Sequence, residues 1–283
     1  ELGWSQTEVA KKLGITQMAV CRMERGEIPL SAGKIREMYK CYGLALEEGK
    51  FAVPTLKLPK NYTPELAYLL GVIAGDGTHD GNRIIIYESY PEIVEKYRDI
   101  AKTATGMEAI VRKINKVGQK GSFAKKEYYE IRFYSKEFSD FVAGELPQII
   151  AESEERCIPA QIQKSSMEIQ RAFLSGLYDA EGYVHGKRVD IAMRSKKMMR
   201  QVQQVLLRLG IRASYGEKPV QGNKQWFVSI SDLHSLREFA AKIGFSRQDK
   251  CRAIQAAASR SVKMQLVEQV PVDGREVFTL ARH

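Results

Sequence analysis

Two stretches of this chain read as apolar helices rich in small residues, YLLGVIAG at residues 68–75 and FLSGLYDA at residues 173–180. Each closes on an acid followed by glycine, Asp76-Gly77 and Glu181-Gly182, with the acids 105 positions apart. After each stretch the same succession of patterns returns. A short strand (RIIIYES; RVDIAMRS) precedes an amphipathic helix (PEIVEKYRDIAKTATG; KKMMRQVQQVLLRLGI). A hairpin follows (EAIVRKINKVGQKGSFAKKEYYEIRFYS; ASYGEKPVQGNKQWFVSIS), and then a further helix (KEFSDFVAGEL; DLHSLREFAAKIGF). This is an internal duplication at the level of sequence. Ahead of the first copy, FAVPTLKLPKNY (51–62) carries two prolines and reads as a linker, and Thr63-Pro64-Glu65 opens a helix with proline in its first turn.

The apolar helices carry small residues four apart on one face: Gly71 and Gly75 in the first, Gly176 and Ala180 in the second. That spacing lets two backbones approach closely. Packed against each other, the helices bring their last turns together and set Asp76 beside Glu181. The glycines that follow are expected in the left-handed C-cap conformation. A carboxylate at a helix C-terminus opposes the helix dipole, and two such carboxylates repel, so positive charge is needed between them. Hard oxygen ligands with positions left for water and phosphate suit Mg²⁺, or another divalent cation such as Mn²⁺. Such a pair can activate water and stabilise a leaving oxygen in phosphodiester hydrolysis.

The first fifty residues read differently. In SQTEVAKKLGITQMAVCRMERGEIPL, Ser5 and Glu8 have capping-box spacing, Val9, Ala10 and Leu13 form a buried stripe, and Gly14 supplies a turn. Thr16 caps a second helix whose Ala19, Val20 and Met23 face inward. This is a helix-turn-helix pattern, and SQTEVAKKLGI followed by MERGEIP resembles the phage-repressor (Cro/repressor-like) family. The resemblance implies that Gln6 touches a phosphate and that Thr16, Gln17, Met18 and Arg22 lie at the DNA surface. The family has a helix before this point. The tail VPVDGREVFTLARH (270–283) offers one, with Asp273 capping a helix that carries Val277, Phe278 and Leu280. Three readings of the tail stand open: a permuted or excised segment, the start of a second helix-turn-helix, or coincidence.

The net charge is +10, with a sequence pI near 9.3, which points to a polyanionic partner. The excess is local. Residues 1–50 hold eight basic against seven acidic side chains, residues 100–132 eight against three, and residues 185–225 ten against two. The last two stretches follow the two apolar helices in matching positions. No apolar run approaches a membrane span, and no signal peptide is evident. The four cysteines (Cys21, Cys41, Cys157, Cys251) lack metal-binding spacing and read as reduced thiols of a cytosolic protein.

LLGVIAGDG and LSGLYDAEG, with their flanks, resemble the paired motifs of the LAGLIDADG homing endonucleases, and the likeness extends over roughly residues 60–260. The resemblance implies an α+β fold: two pseudo-twofold α/β halves in a monomer, whose twisted sheets form a saddle over double-stranded DNA. To this the helix-turn-helix adds a small all-α domain. The expected organisation is 1–50 helix-turn-helix, 51–62 linker, 63–155 first half, 156–260 second half and 261–283 tail. Asp76 and Glu181 would bind the metal and act in catalysis, with Arg194 as a basic residue on the strand after the second motif. DNA contacts on the sheets are expected from Arg112, Lys113, Lys116, Lys120, Lys125, Arg132, Arg188, Lys218 and Lys224. In the first half the position of Arg194 falls at Tyr87-Glu88, where an acid does not stabilise a developing phosphorane. This leaves three readings: Lys113 substitutes, one strand is nicked preferentially, or cleavage is lost. His79 and His185 read as surface residues. The segment lacks the terminal residues of protein splicing, so an intein origin would make it an endonuclease portion. The rival functions are a non-cleaving DNA-binding regulator and an RNA maturase.

Overall fold

Ser5 opens the first helix, α1 (Gln6–Leu13), through the expected capping box: its hydroxyl accepts from the Glu8 amide at 3.3 Å and its own amide donates to the Glu8 carboxylate at 2.7 Å. Gly14 ends the helix in the left-handed region, at φ 61°. Thr16 then caps α2 (Gln17–Glu24), accepting from the Ala19 amide at 3.2 Å. Val9, Ala10, Leu13 and Val20 form a small separate core with Trp4, Ile15 and Met38 packed on it, while Ala19 and Met23 are only half-buried. The computed structural model describes residues 3–25, 38–40, 43, 56, 58–59, 61–81, 83–118, 126–220 and 222–259, and the backbone alone of 264–272 and 275–282. Most of the proline-containing linker lies outside the described residues, as do Lys120, Lys125 and Asp273.

The duplication is plain in the topology. The first half runs α3 (Pro64–Asp76), β1 (Thr78–His79), β2 (Ile84–Glu88), α4 (Pro91–Thr105), β3 (Ile110–Ile114), β4 (Tyr128–Phe133) and α5 (Lys136–Glu145). A 3-10 turn (Pro147–Ile149) and the short α6 (Ala160–Lys164) lead to the second half. That half runs α7 (Met167–Glu181), β5 (Gly182–His185), β6 (Arg188–Met193), α8 (Lys196–Arg208), β7 (Ser214–Val220), β8 (Asn223–Ile230) and α9 (Leu233–Lys242), with α10 (Gln248–Ala258) appended. The two antiparallel sheets have orders β1-β2-β4-β3 and β5-β6-β8-β7, the same arrangement twice. The protein is therefore an α+β molecule of two like halves with a small helical domain before them.

Pleat alternation gives each sheet two unlike faces. Ile84, Ile86, Ile131 and Phe133 of one sheet, and Val189, Ile191, Val228 and Ile230 of the other, enter the main core beneath the helices. The opposite faces carry Tyr87, Arg112, Glu130 and Arg132 in the first sheet and Tyr183, Arg188, Asp190 and Lys218 in the second, as the registers place them.

The core is sewn together at α3 and α7. Thr63 caps α3 and Ser166 caps α7, each accepting from the amide three residues on. A Cβ at Gly71 would lie 2.0 Å from the Phe173 carbonyl oxygen, and one at Gly176 2.0 Å from that of Tyr68. The helices thus touch backbone to backbone, as the small-residue spacing predicts.

Two expectations are corrected here. Gly77 and Gly182 are not left-handed caps: their φ values are −72° and −76°, and the backbone runs extended into β1 and β5. Glycine is required by crowding instead, because a Cβ at Gly77 would sit 2.4 Å from the Ile73 carbonyl oxygen and one at Gly182 2.6 Å from that of Tyr178. The tail is not a helix. It forms an antiparallel hairpin, β9 (Met264–Val272) with β10 (Arg275–Arg282), in which Val272 pairs with Arg275. The physical reason is in its residues: valines, Thr279 and Phe278 favour strands, and the intervening Asp-Gly is a strong hairpin signal.

Candidate active site at the ends of the paired helices

Asp76 is the last residue of α3 and Glu181 the last of α7. The seam carries through to these final turns, since a Cβ at Gly75 would meet Ala180 Cβ at 2.6 Å and Glu181 Cγ at 3.1 Å. The two carboxylates therefore converge, as expected from the sequence. Solvent reaches Asp76, yet protein surrounds it on most sides. Burial pushes its pKa up to about 6, and Glu88 raises it further. Burial pushes Glu181 up to about 7, with Asp76 adding repulsion.

The sequence reading missed the cations that stabilise this arrangement. Arg156 lies in the connector between the halves. Its Nη1 donates to the carbonyls of Ala74 at 2.9 Å and Gly75 at 2.8 Å, its Nη2 to Gly77 at 3.2 Å, and its Nε to Ala151 at 3.1 Å. Lys250, in the first turn of α10, donates to the carbonyls of Gly182 at 2.6 Å and Asp179 at 3.3 Å. Each motif helix thus ends against one cation, which answers both its open carbonyls and its dipole. Burial lowers the pKa of both cations, while both lower those of the two acids.

Among the described residues no cluster of three His, Cys, Asp or Glu side chains forms a metal cage. Two converging carboxylates with raised pKa values, open to solvent on one side, still fit a divalent cation whose remaining positions are filled by water and phosphate oxygens.

Arg194 is not turned toward the acids; its Nη2 bonds Glu154 Oε1 at 2.5 Å. The strand registers also revise its pairing between halves. Thr78 opposes Ile85 and Tyr183 opposes Asp190, which makes Met193 the counterpart of Glu88, and Ser89 that of Arg194. Glu88 sits on the helix side of its sheet, and its Oε1 accepts from the amides of Ser89 at 2.5 Å and Tyr90 at 3.1 Å.

The expected basic residues are dispersed. Arg112, Arg188 and Lys218 lie on the open sheet faces, and Lys116 is exposed at the end of its strand. Arg132 shares the open face, but it is nearly buried and forked onto Glu130 at 2.8 and 2.7 Å, so its charge is already matched. Arg188 contacts Asp190 at 2.9 Å. Lys113 and Lys224 fall on the helix side by alternation and pair with Glu127 at 2.6 Å and Glu217 at 3.7 Å. His79 is an anchor, 2.8 Å from Ser139 Oγ; His185 is exposed. In the first domain Gln17 Nε2 donates to Gln6 Oε1 at 3.3 Å, Met18 is 66% exposed, and Arg22 is half-buried. The Thr16 hydroxyl is engaged in its cap.

The arrangement, paired helices with an acid at each end under duplicated sheets, defines a class of fold. Residues 168–244 match the LAGLIDADG-like domain family, and residues 1–48 match a helix-turn-helix family. Over 272 residues the chain is 27% identical to glutamine–fructose-6-phosphate aminotransferase (isomerizing) of Methanocaldococcus jannaschii, covering 92% of this chain and 24% of that protein. It is 27% identical to the replication factor C small subunit of the same organism, covering 72% of this chain and 11% of that one. The homing endonuclease I-ApeI of Aeropyrum pernix is 25% identical over 146 residues, 48% of this chain and 64% of that protein. A crystal structure of I-DmoI in complex with DNA and Mn superposes on 65% of this chain and 98% of its own, with a TM-score of 0.47 and 23% identity. The chain thus spans about a quarter of the length of the aminotransferase and about a tenth of that of the replication factor.

Proposed function

We propose that this chain is a site-specific, divalent-metal-dependent endonuclease for double-stranded DNA, with the helix-turn-helix adding contacts outside the cut site. The observation that carries the reading is the convergence of Asp76 and Glu181 at the ends of two helices whose backbones touch. Likeness of one segment to the homing endonuclease I-ApeI supports it. So does the spread of that likeness. An aminotransferase and a replication factor share no chemistry, and a segment similar in both is best explained as an inserted element, such as the endonuclease portion of an intein.

In this mechanism the open sheet faces receive the duplex as a monomeric saddle, with Arg112, Arg188 and Lys218 meeting phosphates or base edges. Asp76 and Glu181 are the residues that would hold a divalent cation, and its contribution would be Lewis-acid activation of a phosphate and a water. Arg156 and Lys250 fix the helix ends, and so the spacing of the acids. They also place positive charge where the phosphorane develops.

A second reading, a DNA-binding regulator that does not cut, is favoured by Glu88, whose negative charge raises the Asp76 pKa. Selection of cleaved products from a randomised duplex library, with and without Mg²⁺, separates the two. The expected outcome is metal-dependent cutting at one enriched sequence. Asp76→Asn and Glu181→Gln should bind that sequence undiminished and cut it at least about a hundredfold more slowly. Enrichment by binding without cutting would replace the endonuclease reading with the regulator.

A further inference from the structure

The amphipathic helices α4 and α8 hold the same place in the two halves, yet their outer faces differ. α4 carries Glu92, Glu95 and Asp99 against Lys96, Arg98 and Lys102, so its charges cancel. Arg98 pairs with Glu95 at 2.8 Å and Lys102 with Glu108 at 2.6 Å, while Lys96 turns inward over the Tyr68 ring. α8 carries Lys196, Lys197, Arg200 and Arg208 and no acid. At 3.6 residues per turn these four fall within about a third of the circumference, with Gln204 and Leu207 between them, and all six are exposed. Among the described residues none of the four cations meets a carboxylate. Glu217, which the register sets beside Trp226, pairs with Lys224 at 3.7 Å.

Three of these cations are held in place. Tyr215 and Trp226 stack at 5.6 Å on the helix side of the second sheet. Arg200 Cζ lies 3.8 Å from the Tyr215 ring centre and Lys196 Nζ 4.7 Å from that of Trp226. Arg208 Nη1 donates to Gln170 Oε1 at 2.8 Å. Side chains already ordered lose less freedom on binding. The other face of α8 is spent, because Met198, Met199, Val202, Val205 and Leu206 lie in the main core. A bilayer or a groove-forming partner needs that apolar face, so what α8 offers is fixed positive charge, which fits phosphates. Both rings are covered by their own cations, which leaves no platform for an unpaired base and favours a duplex. The second sheet stands between this face and the open sheet face, so a straight duplex on the open face does not reach it.

We propose that the outer face of α8 is a second, sequence-independent DNA site that takes the phosphate backbone of another duplex segment, so that one chain bridges two segments.

The bridging rests on duplex binding by the open sheet faces, and the experiment keeps the two apart. The full chain, without divalent metal, is loaded on beads carrying the duplex enriched in the library selection, and a fluorescent duplex of unrelated sequence is added. The wild type should capture it at low salt. Lys196→Gln/Lys197→Gln/Arg200→Gln should lower capture at least about tenfold and reduce the logarithmic salt slope for the unrelated duplex by about two to three, with target affinity within about twofold of wild type. Lys197→Glu alone, at an exposed side chain away from the stacked rings, should lower capture about threefold. Arg98→Gln/Lys102→Gln, a comparable loss of charge on α4, should leave it unchanged. No capture by the wild type, capture undiminished in the α8 variants, or an equal loss in the α4 variant overturns the proposal and leaves the endonuclease standing. Beads that fail to hold the chain remove the open-face reading. Anisotropy of the unrelated duplex then judges α8 by itself, and equal affinities of wild type and triple variant overturn it. Binding of phosphatidylserine vesicles in place of the duplex, lost in the triple variant, would reassign the face to a membrane.

Discussion

Asp76 and Glu181 have folded-state pKa values above their ordinary ones, and the sign of the consequence is fixed. The folded protein binds these protons more tightly than the unfolded chain does. Stability therefore falls as pH rises from the ordinary carboxylate range, about 4, through about 7, and the loss is complete above the folded pKa values. In metal-free chemical denaturation the wild type should lose stability over that window, and the Asp76→Asn/Glu181→Gln double variant should not. Mg²⁺, which needs deprotonated ligands, should oppose the loss most strongly above pH 7. The acids were legible in the sequence because each ends an apolar helix and is followed by glycine. Arg156 and Lys250 were not. ERCIP and DKCR have no local signature, and only the folded chain brings them to helix ends far away in sequence.

At the level of elements, the α3–α7 seam is the least tolerant feature of the molecule. Gly71→Ala or Gly176→Ala would force a methyl group onto a backbone carbonyl with no side chain free to yield. Each should cost about 3 kcal/mol or more in urea unfolding, at the upper end of overpacking effects. Gly81→Ala is a useful contrast. Its Cβ meets open space, so only its left-handed φ of 72° resists the change, and the cost should be about 1 kcal/mol. The long elements were readable from period and caps. The strands β1 and β5 were not, because they are only two and four residues long and follow directly from the motif helices. The tail failed for a different reason: its apolar residues fit either period, and the strand preference of valine and phenylalanine decided the outcome.

Across the whole molecule, of the basic side chains in the two stretches only Arg112, Lys113, Arg132, Arg188, Lys218 and Lys224 lie in the described strands, and part of that charge is already neutralised. Arg132 on Glu130, Arg188 on Asp190, and Lys113 on Glu127 are internal pairs. Duplex affinity should still fall steeply with salt, as counterions are released on binding. Substituting Arg112 with alanine should reduce the logarithmic salt slope by about one, whereas Arg132→Ala should lower stability and leave the slope nearly unchanged. Fluorescence anisotropy titrations over a range of KCl concentrations measure both. Charge counting along the chain could not separate these arginines: the register sets Arg112 across from Glu130, yet the carboxylate is gripped by Arg132, two residues along its own strand.

The placement of Arg156 and Lys250 also has a consequence for synthesis. A ribosome extrudes the first half, with Asp76, well before the connector that closes its helix end, and the second acid before α10. A nascent or prematurely ended chain that stops short of residue 250 holds both carboxylates but lacks the lysine at the second helix end. On the proposed endonuclease reading, cutting power would therefore arrive late, and fragments left by broken messages would be poor nucleases.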